Sequence, residues 1–311
     1  MKVLVTGGTG YLGRTVVGTI ASRGHEIVVF ARTATRSGLP GTLVDGDIRD
    51  RMALDRAAAD CDAICHMAGL VSIWRRRPAD FDDVNVGGLR HIVDISRARG
   101  VSRIVYASSF LALPPRDGAA PIPANDYART KIAAELLADD CARGGSPIVR
   151  VYPGVVYGPG TMTEGNLLGR LISDHLRGRL PGLIGLEQPW SFSYIDNVAA
   201  GIASALERGR IGGRYILGGE NAAQHRVFAI VRDLTGRPVP RRLPFAVATA
   251  IGAAEECRAR WLGGTPLLTR GTVEIFRHDW SLDSTLAVSE LGYEMTALVD
   301  GVARTVKALQ S

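Results

Sequence analysis

The chain has 311 residues, 46% hydrophobic and 22% charged, with a formal net charge of +6. Such a length buries a full core, and such a composition excludes a disordered or fibrous chain. The basic residues are scattered, with one tight run at Arg75, Arg76 and Arg77 and no aromatic ladder beside it, so nucleic-acid binding is not expected. Cys61, Cys65, Cys141 and Cys257 fit neither a disulfide framework nor a metal-ligand spacing, and read as reduced, mostly buried thiols with no metal site. "MKVLVTGG" runs directly into a strand without a signal peptide, so a cytoplasmic location is expected. The longest apolar stretch, "LPFAVATAIGAA" from Leu243, is shorter than the roughly 20 residues of a spanning helix, so no integral membrane segment is expected.

The first strand, 2–6, ends in "TGGTGYLGRTVVGTIASRG". Gly7, Gly10 and Gly13 let a backbone turn tightly, approach a pyrophosphate, and pack a helix on its strand, and the helix N-terminus offers free N–H groups. This pattern predicts dinucleotide binding. The second strand, 26–30, is followed by Ala31 and Arg32, where an NAD site usually has a carboxylate for the ribose and an NADP site needs a cation. NADP(H) is therefore expected in preference to NAD. After the third strand, 42–46, Asp47 is placed to meet the adenine amino group and Ile48 to pack on its ring. The fourth, 63–67, delivers Met67, Ala68 and Gly69 beside the cofactor, with His66 read as a core imidazole.

The fifth strand, 103–108, ends at the pair Ser108 and Ser109. A serine hydroxyl there can hydrogen-bond a reacting carbonyl, and Ser109 is favoured. "NDYARTKIAAE" then places Tyr127 and Lys131 at i and i+4 on one helical face. Lys131 is one of only three lysines in a chain that otherwise writes arginine. A compact ammonium can lower a phenol's pKa and hold ribose hydroxyls, where a planar guanidinium fits poorly. Tyr127 is thus the expected acid/base. The sixth and seventh strands are 147–152 and 214–219.

Near-continuous apolar strands alternating with helices predict a doubly wound, parallel seven-stranded α/β Rossmann sheet. Segments 1–157 and 193–219 are expected to form this dinucleotide-binding domain. Segments 158–192 and 220–311, loop-rich and helical, are expected to form a smaller, interleaved C-terminal substrate lobe. Val71, Trp74, Phe110, Leu111, Met162, Trp190 and Phe192 are expected to line an apolar pocket over the nicotinamide.

TGxxGxxG, the doubled serine and YxxxK, with "NVGGLRHIVDISRARGVSRIVYASS" between them, resemble the extended short-chain dehydrogenase/reductase family. "RVYPGVVYGPG", "SFSYIDNVAAGIASALERG" and "WSLDSTLAVSELGY" extend the resemblance over nearly the whole chain. "SSFLAL", "YPGVVYGPG" and "GRLPGLIG" are most similar to its dihydroflavonol-reductase-like and 3β-hydroxysteroid-dehydrogenase-like branch, including plant farnesol-dehydrogenase-like proteins. The resemblance implies catalytic Ser109, Tyr127 and Lys131, further cofactor contacts from Thr9, Tyr11 and Leu12, and Tyr152, Pro153 and Val156 bordering the nicotinamide. It also implies a homodimer through the helices of 84–98 and 127–142. The chain departs from the family in having Leu89 where NVxGT has threonine, and in a shorter stretch from Phe110 to Asp126. The expected function is an NADP(H)-dependent oxidoreductase of a lipophilic ketone, aldehyde or alcohol. A nucleotide-sugar epimerase or dehydratase retaining NAD is the alternative, disfavoured by Ala31 with Arg32 and by Phe110 and Leu111 where a dehydratase needs carboxylates. A non-enzymatic cofactor sensor would be expected to lose Tyr127 or Lys131.

Overall fold

The computed structural model describes residues 1–310. Its strands are β1 (Lys2–Thr6), β2 (Glu26–Ala31), β3 (Thr42–Asp45), β4 (Ala63–His66), β5 (Arg103–Ala107), β6 (Ile148–Pro153), β7 (Val155–Tyr157), β8 (Pro189–Tyr194), β9 (Arg214–Leu217) and β10 (Glu220–Ala223). The longer helices are α1 (Tyr11–Ser22), α2 (Arg51–Ala57), α3 (Ala79–Phe81), α4 (Gly88–Arg99), α5 (Asp126–Arg143), α6 (Leu167–Leu176), α7 (Ile195–Arg208), α8 (Gln224–Thr235), α9 (Phe245–Leu262), α10 (Arg270–Ile275), α11 (Thr285–Leu291) and α12 (Leu298–Gln310). The seven strands read from the sequence form one parallel sheet in the order β3-β2-β1-β4-β5-β6-β9. The order reverses at β1, which puts a crevice at the carboxyl ends of β1 and β4.

The inner strands β1 and β4 are buried on both faces and almost wholly apolar, whereas the edge strand β3 has no fully buried residue. Alternate side chains of β1 point opposite ways. Val3 and Val5 pack with Val16, Val17 and Ile20 of α1 and Val198 and Ile202 of α7. Leu4, between them, packs with Leu54 of α2, Leu89 and Ile92 of α4 and Ala134 of α5.

A second, three-stranded sheet of order β10-β8-β7 was not anticipated: β10 and most of β8 lie in segments read as loop-rich and helical, and β7 falls at the end of the segment 1–157, where no such strand was read. β8 pairs parallel with β7 and antiparallel with β10. β7 has three residues and β10 four, too few for a period-2 pattern to emerge. The sheet anchors a third core in which Tyr157, Trp190, Phe192 and Trp280 meet Phe228 of α8 and Leu298 and Val302 of α12. The C-terminal part of the chain is not confined to this core: Ala287, Leu291 and Tyr293 pack with α7 against the large sheet. Cys61 and Cys65 are buried, but Cys141 is half-buried and Cys257 exposed, because Cys257 falls on the outer face of α9. No helix among the described residues is long and apolar enough to cross a membrane.

Candidate active site

The crevice is built from tight backbone approaches. Gly7 has φ of +72°, and a methyl group placed on it would lie 2.7 Å from the Ala68 backbone. One placed on Gly13 would lie 2.2 Å from the Gly7 carbonyl oxygen. The Gly10 N–H donates to that same oxygen at 3.0 Å, closing the turn. Gly10 caps α1 without a side chain, so the first-turn N–H groups of Tyr11, Leu12 and Gly13 are left for an anion. Thr9 stands partly exposed on the rim of this turn. Leu12 packs into the core, and the buried Tyr11 donates its hydroxyl to the Gly158 oxygen at 3.0 Å. Tyr11 therefore serves the loop through its backbone, while its ring ties the loop to the start of the second lobe.

Arg32, just past the buried Ala31, is exposed and makes no hydrogen bond or ion pair among the described residues. Its charge helps to hold the Asp47 carboxyl at about 2, although the larger cause is Arg49. Asp47 accepts from Arg49 Nε at 2.9 Å and Nη2 at 2.7 Å, so its carboxylate is already partly engaged. Ile48 is buried against Gly88, its side chain closing the floor beside α4. Met67 and Ala68 are half-buried and follow β4 under the glycine turn, where the Ala68 N–H donates to Thr6 Oγ1 at 3.3 Å. His66 is the core imidazole expected from the sequence: its Nδ1 lies 2.8 Å from Thr6 Oγ1, and burial pushes its pKa down to about 3.

The reactive side chains converge where β5 meets α5. Asn125 caps α5 by accepting from the Ala128 N–H at 2.8 Å, which starts the helix one turn before Lys131. Tyr127 is half-buried with the Ser109 hydroxyl near enough to lower its phenol pKa, while Ser109 Oγ accepts from the Leu111 N–H at 3.2 Å. Ser108 points elsewhere, donating to Glu135 Oε2 at 3.0 Å. Lys131 is buried, donates to the Ala107 oxygen at 3.0 Å, and lies over the Tyr106 ring at 5.4 Å. A methyl group on Gly69 would stand 3.7 Å from Lys131 Nζ, so the end of β4 passes directly over the ammonium.

The electrostatics differ in one respect from the sequence expectation. Burial pushes the Tyr127 phenol up, and the opposing influence comes from the Ser109 hydroxyl and not from Lys131. The ammonium is itself desolvated, which lowers its pKa to about 8, and the charge of Glu135 opposes that fall.

Two positioning residues escaped the sequence reading. Asn85, buried in a π-helical turn over Asp82–Gly87, accepts from the Leu70 N–H at 2.7 Å and donates to Thr130 Oγ1 at 2.9 Å, clamping the β4 loop to α5. A π-turn inside a helix often marks a functional site. Glu135, one turn beyond Lys131, accepts from Ser108, from Arg150 Nη1 at 3.3 Å and from the Tyr152 hydroxyl. Tyr152 is accordingly buried, with its hydroxyl engaged by Glu135 and Arg214. Pro153 is buried at the end of β6, and Val156 is half-buried on β7. Of the expected pocket residues, Val71 and Met162 are exposed, and Trp74 and Phe110 are half-buried. Leu111, Trp190 and Phe192 are committed to the third core. Phe110 links the two sets, with its ring 6.3 Å from Trp190 and 5.3 Å from Trp280.

A sequence profile of the NAD dependent epimerase/dehydratase family matches residues 3–218. The chain belongs to this family. It is 30% identical to "Sterol demethylase protein B" of Methylococcus capsulatus over 97% of this chain and 98% of that one. It is 29% identical to the "Putative dihydroflavonol 4-reductase" of Synechocystis sp. over 99% of this chain and 94% of the relative. The crystal structure of gox2253 superimposes with a TM-score of 0.83 at 29% identity, covering 99% of this chain and 97% of that one. The fold and the extended short-chain dehydrogenase/reductase resemblance read from the sequence are thereby borne out.

Proposed function

We propose that the protein is an NADP(H)-dependent reductase of a lipophilic carbonyl compound, with Tyr127 as the acid. The single observation that carries this is the placing of Tyr127 beside the Ser109 hydroxyl, which counters the effect of burial on the phenol, with the buried Lys131 one helical turn away on α5. The residues present fit a dinucleotide: only hydrogen atoms on Gly7 and Gly13 leave the cradle open, the first turn of α1 is uncapped, and Arg32 is unpartnered. Bound there, a nicotinamide dinucleotide supplies the hydride. The glycine turn with Thr9, Tyr11 and Leu12 would hold its phosphates, Arg32 the 2'-phosphate, Asp47 and Ile48 the adenine, and Met67, Ala68, Gly69, Pro153 and Val156 the nicotinamide half.

The chain's own groups handle the proton. Ser109 Oγ–H donates to the carbonyl oxygen and polarises it. Tyr127 gives up its phenolic proton to the same oxygen as negative charge develops there. Lys131, with an N–H committed to Ala107, has others for ribose hydroxyls and places a positive charge beside the tyrosinate that forms. A phenol pushed up by burial is protonated at neutral pH, which suits an acid and therefore reduction.

The reading of a lipophilic substrate is supported by the exposed Val71 and Met162, by the half-buried Trp74 and Phe110, the latter next to Ser109, and by relatives whose names refer to sterol and dihydroflavonol chemistry. We place the substrate lobe in 158–192 and 220–311, and dimerisation on α4 and α5. A panel of terpenoid, steroid and aryl carbonyls, assayed against nucleotide sugars by NADPH oxidation and by product analysis, tests the proposal. Epimerisation of a nucleotide sugar with no carbonyl reduction would reject it.

A further inference from the structure

The outer face of α9 has no protein partner and carries no charge over its first three turns. Ala248, Gly252, Glu256 and Ala259 form its buried stripe. Opposite that stripe, Val247 and Ile251 are 47% and 42% exposed, with Ala250 and Ala254 between them. The face ends in Trp261 and Leu262, 84% and 82% exposed, and Leu267, 87% exposed, follows in the next loop. From Arg241 to Ala254 there is no acidic residue. The two glutamates that follow are both spent: Glu255 pairs with Arg258 at 2.9 Å, and the buried Glu256 with Arg270 at 2.8 Å.

Cations flank the face at both ends. Arg241 and Arg242 are exposed just before the helix and Arg260 just before its end, and none of the three forms an ion pair among the described residues. The helix is about 27 Å long, so these charges frame an apolar strip lying along the surface. Arg260 also sits 5.8 Å from the Trp74 ring, so the end of the helix packs beside the loop that leads from Gly69.

We propose that this face docks on an anionic lipid surface, with Trp261, Leu262 and Leu267 entering the acyl boundary and the arginines meeting the headgroups. A lipid surface fits better than a second copy. Packing α9 on itself antiparallel brings Arg241 and Arg242 of one copy against Arg260 of the other, and packing it parallel opposes identical arginines, with no acid on the face to neutralise either. An anionic interface satisfies both ends together and accepts the indole at its polar boundary. This does not depend on the identity of the substrate.

The test is cosedimentation of the full chain with vesicles of phosphatidylcholine alone or mixed equally with phosphatidylglycerol. Wild type is expected to bind the mixed vesicles, to bind the neutral ones weakly, and to be released by salt. Trp261→Glu with Leu262→Glu, both on exposed positions, is expected to lower partitioning at least about tenfold while melting as wild type does. Four results overturn the proposal: no binding by the wild type, equal binding to neutral vesicles, undiminished binding by the variant, or a wild-type dimer that the variant converts to monomer with no vesicle binding by either. The last assigns the face to a second copy.

Discussion

Lys131 is bound in place at a cost to the fold, and replacing it by methionine exposes that cost. Desolvation brings the ammonium from the ordinary lysine value of 10.5 to about 8. That interval corresponds to about 3 kcal/mol favouring the unfolded state wherever the unfolded lysine is charged. Lys131→Met removes this penalty and fills a similar volume, but it strands the Ala107 oxygen, which loses its 3.0 Å bond at a cost of about 1 kcal/mol. The net expectation at pH 7 is a gain of about 2 kcal/mol, or a melting midpoint higher by roughly 3 °C, in a variant with turnover reduced about a hundredfold or more. The sign with pH follows from a depressed folded pKa: the penalty is complete below about 8, shrinks as pH rises, and vanishes above 10.5. Paired denaturant titrations of the two proteins across that range measure it. A variant less stable than wild type at pH 7, or a stability difference flat from pH 7 to 10.5, would refute the reasoning.

Tyr127→Phe is expected to lose turnover on every accepted carbonyl by about a hundredfold or more with the fold intact, and Ser109→Ala by a smaller factor, whereas Ser108→Ala should act chiefly through stability; steady-state kinetics with melting curves separate the three. Wild type is expected to prefer NADPH over NADH in kcat/KM by roughly tenfold to a hundredfold through Arg32, and Ala31→Asp with Arg32→Asn is expected to reverse the preference, as measured with both cofactors. Glu135→Gln leaves the buried Arg150 with only Asp139, at 2.6 Å, as an acidic partner, and is expected to destabilise by about 3 kcal/mol in urea unfolding while leaving cofactor preference unchanged.

What the sequence made legible depended on the range of the interactions involved. The seven strands of the large sheet were readable because each is a local apolar run, and the dyad was readable because four residues of helix fix Tyr127 and Lys131 on one face. β7 and β10 were not, because their pairing with β8 comes from residues 28 to 37 positions away and their own runs are too short to carry a period. Ser109 could be preferred to Ser108, but what distinguishes their surroundings is Glu135, 27 positions beyond Ser108. Trp190 and Phe192 looked like pocket residues because hydrophobicity alone does not tell a lining from a core. The tertiary packing of Tyr157 at 6.4 Å from Phe192 and of Phe276 at 4.5 Å from Trp190 assigns them to the core.

The same burial that costs stability at Lys131 sets the pH dependence of the chemistry in each direction. Tyr127 is raised and Lys131 lowered, so each group's neutral form is favoured relative to its charged one, and at neutral pH the phenol is protonated while the ammonium keeps its charge. For carbonyl reduction the phenol must be protonated, and below its raised pKa it is; the rate of that step is expected to be flat from pH 6 to about 8, where Lys131 begins to lose its charge. For alcohol oxidation the tyrosinate is required. Its fraction grows about tenfold with each pH step of one below the phenol's pKa, so oxidation is expected to climb with that slope through neutrality and beyond pH 9. Measuring kcat/KM in both directions on one substrate pair from pH 6 to 10 distinguishes the two limbs. An oxidation optimum near pH 7 would mean that the phenol is not held high in the working enzyme, and that the ammonium, once ribose hydroxyls have drawn it from Ala107, governs Tyr127 after all.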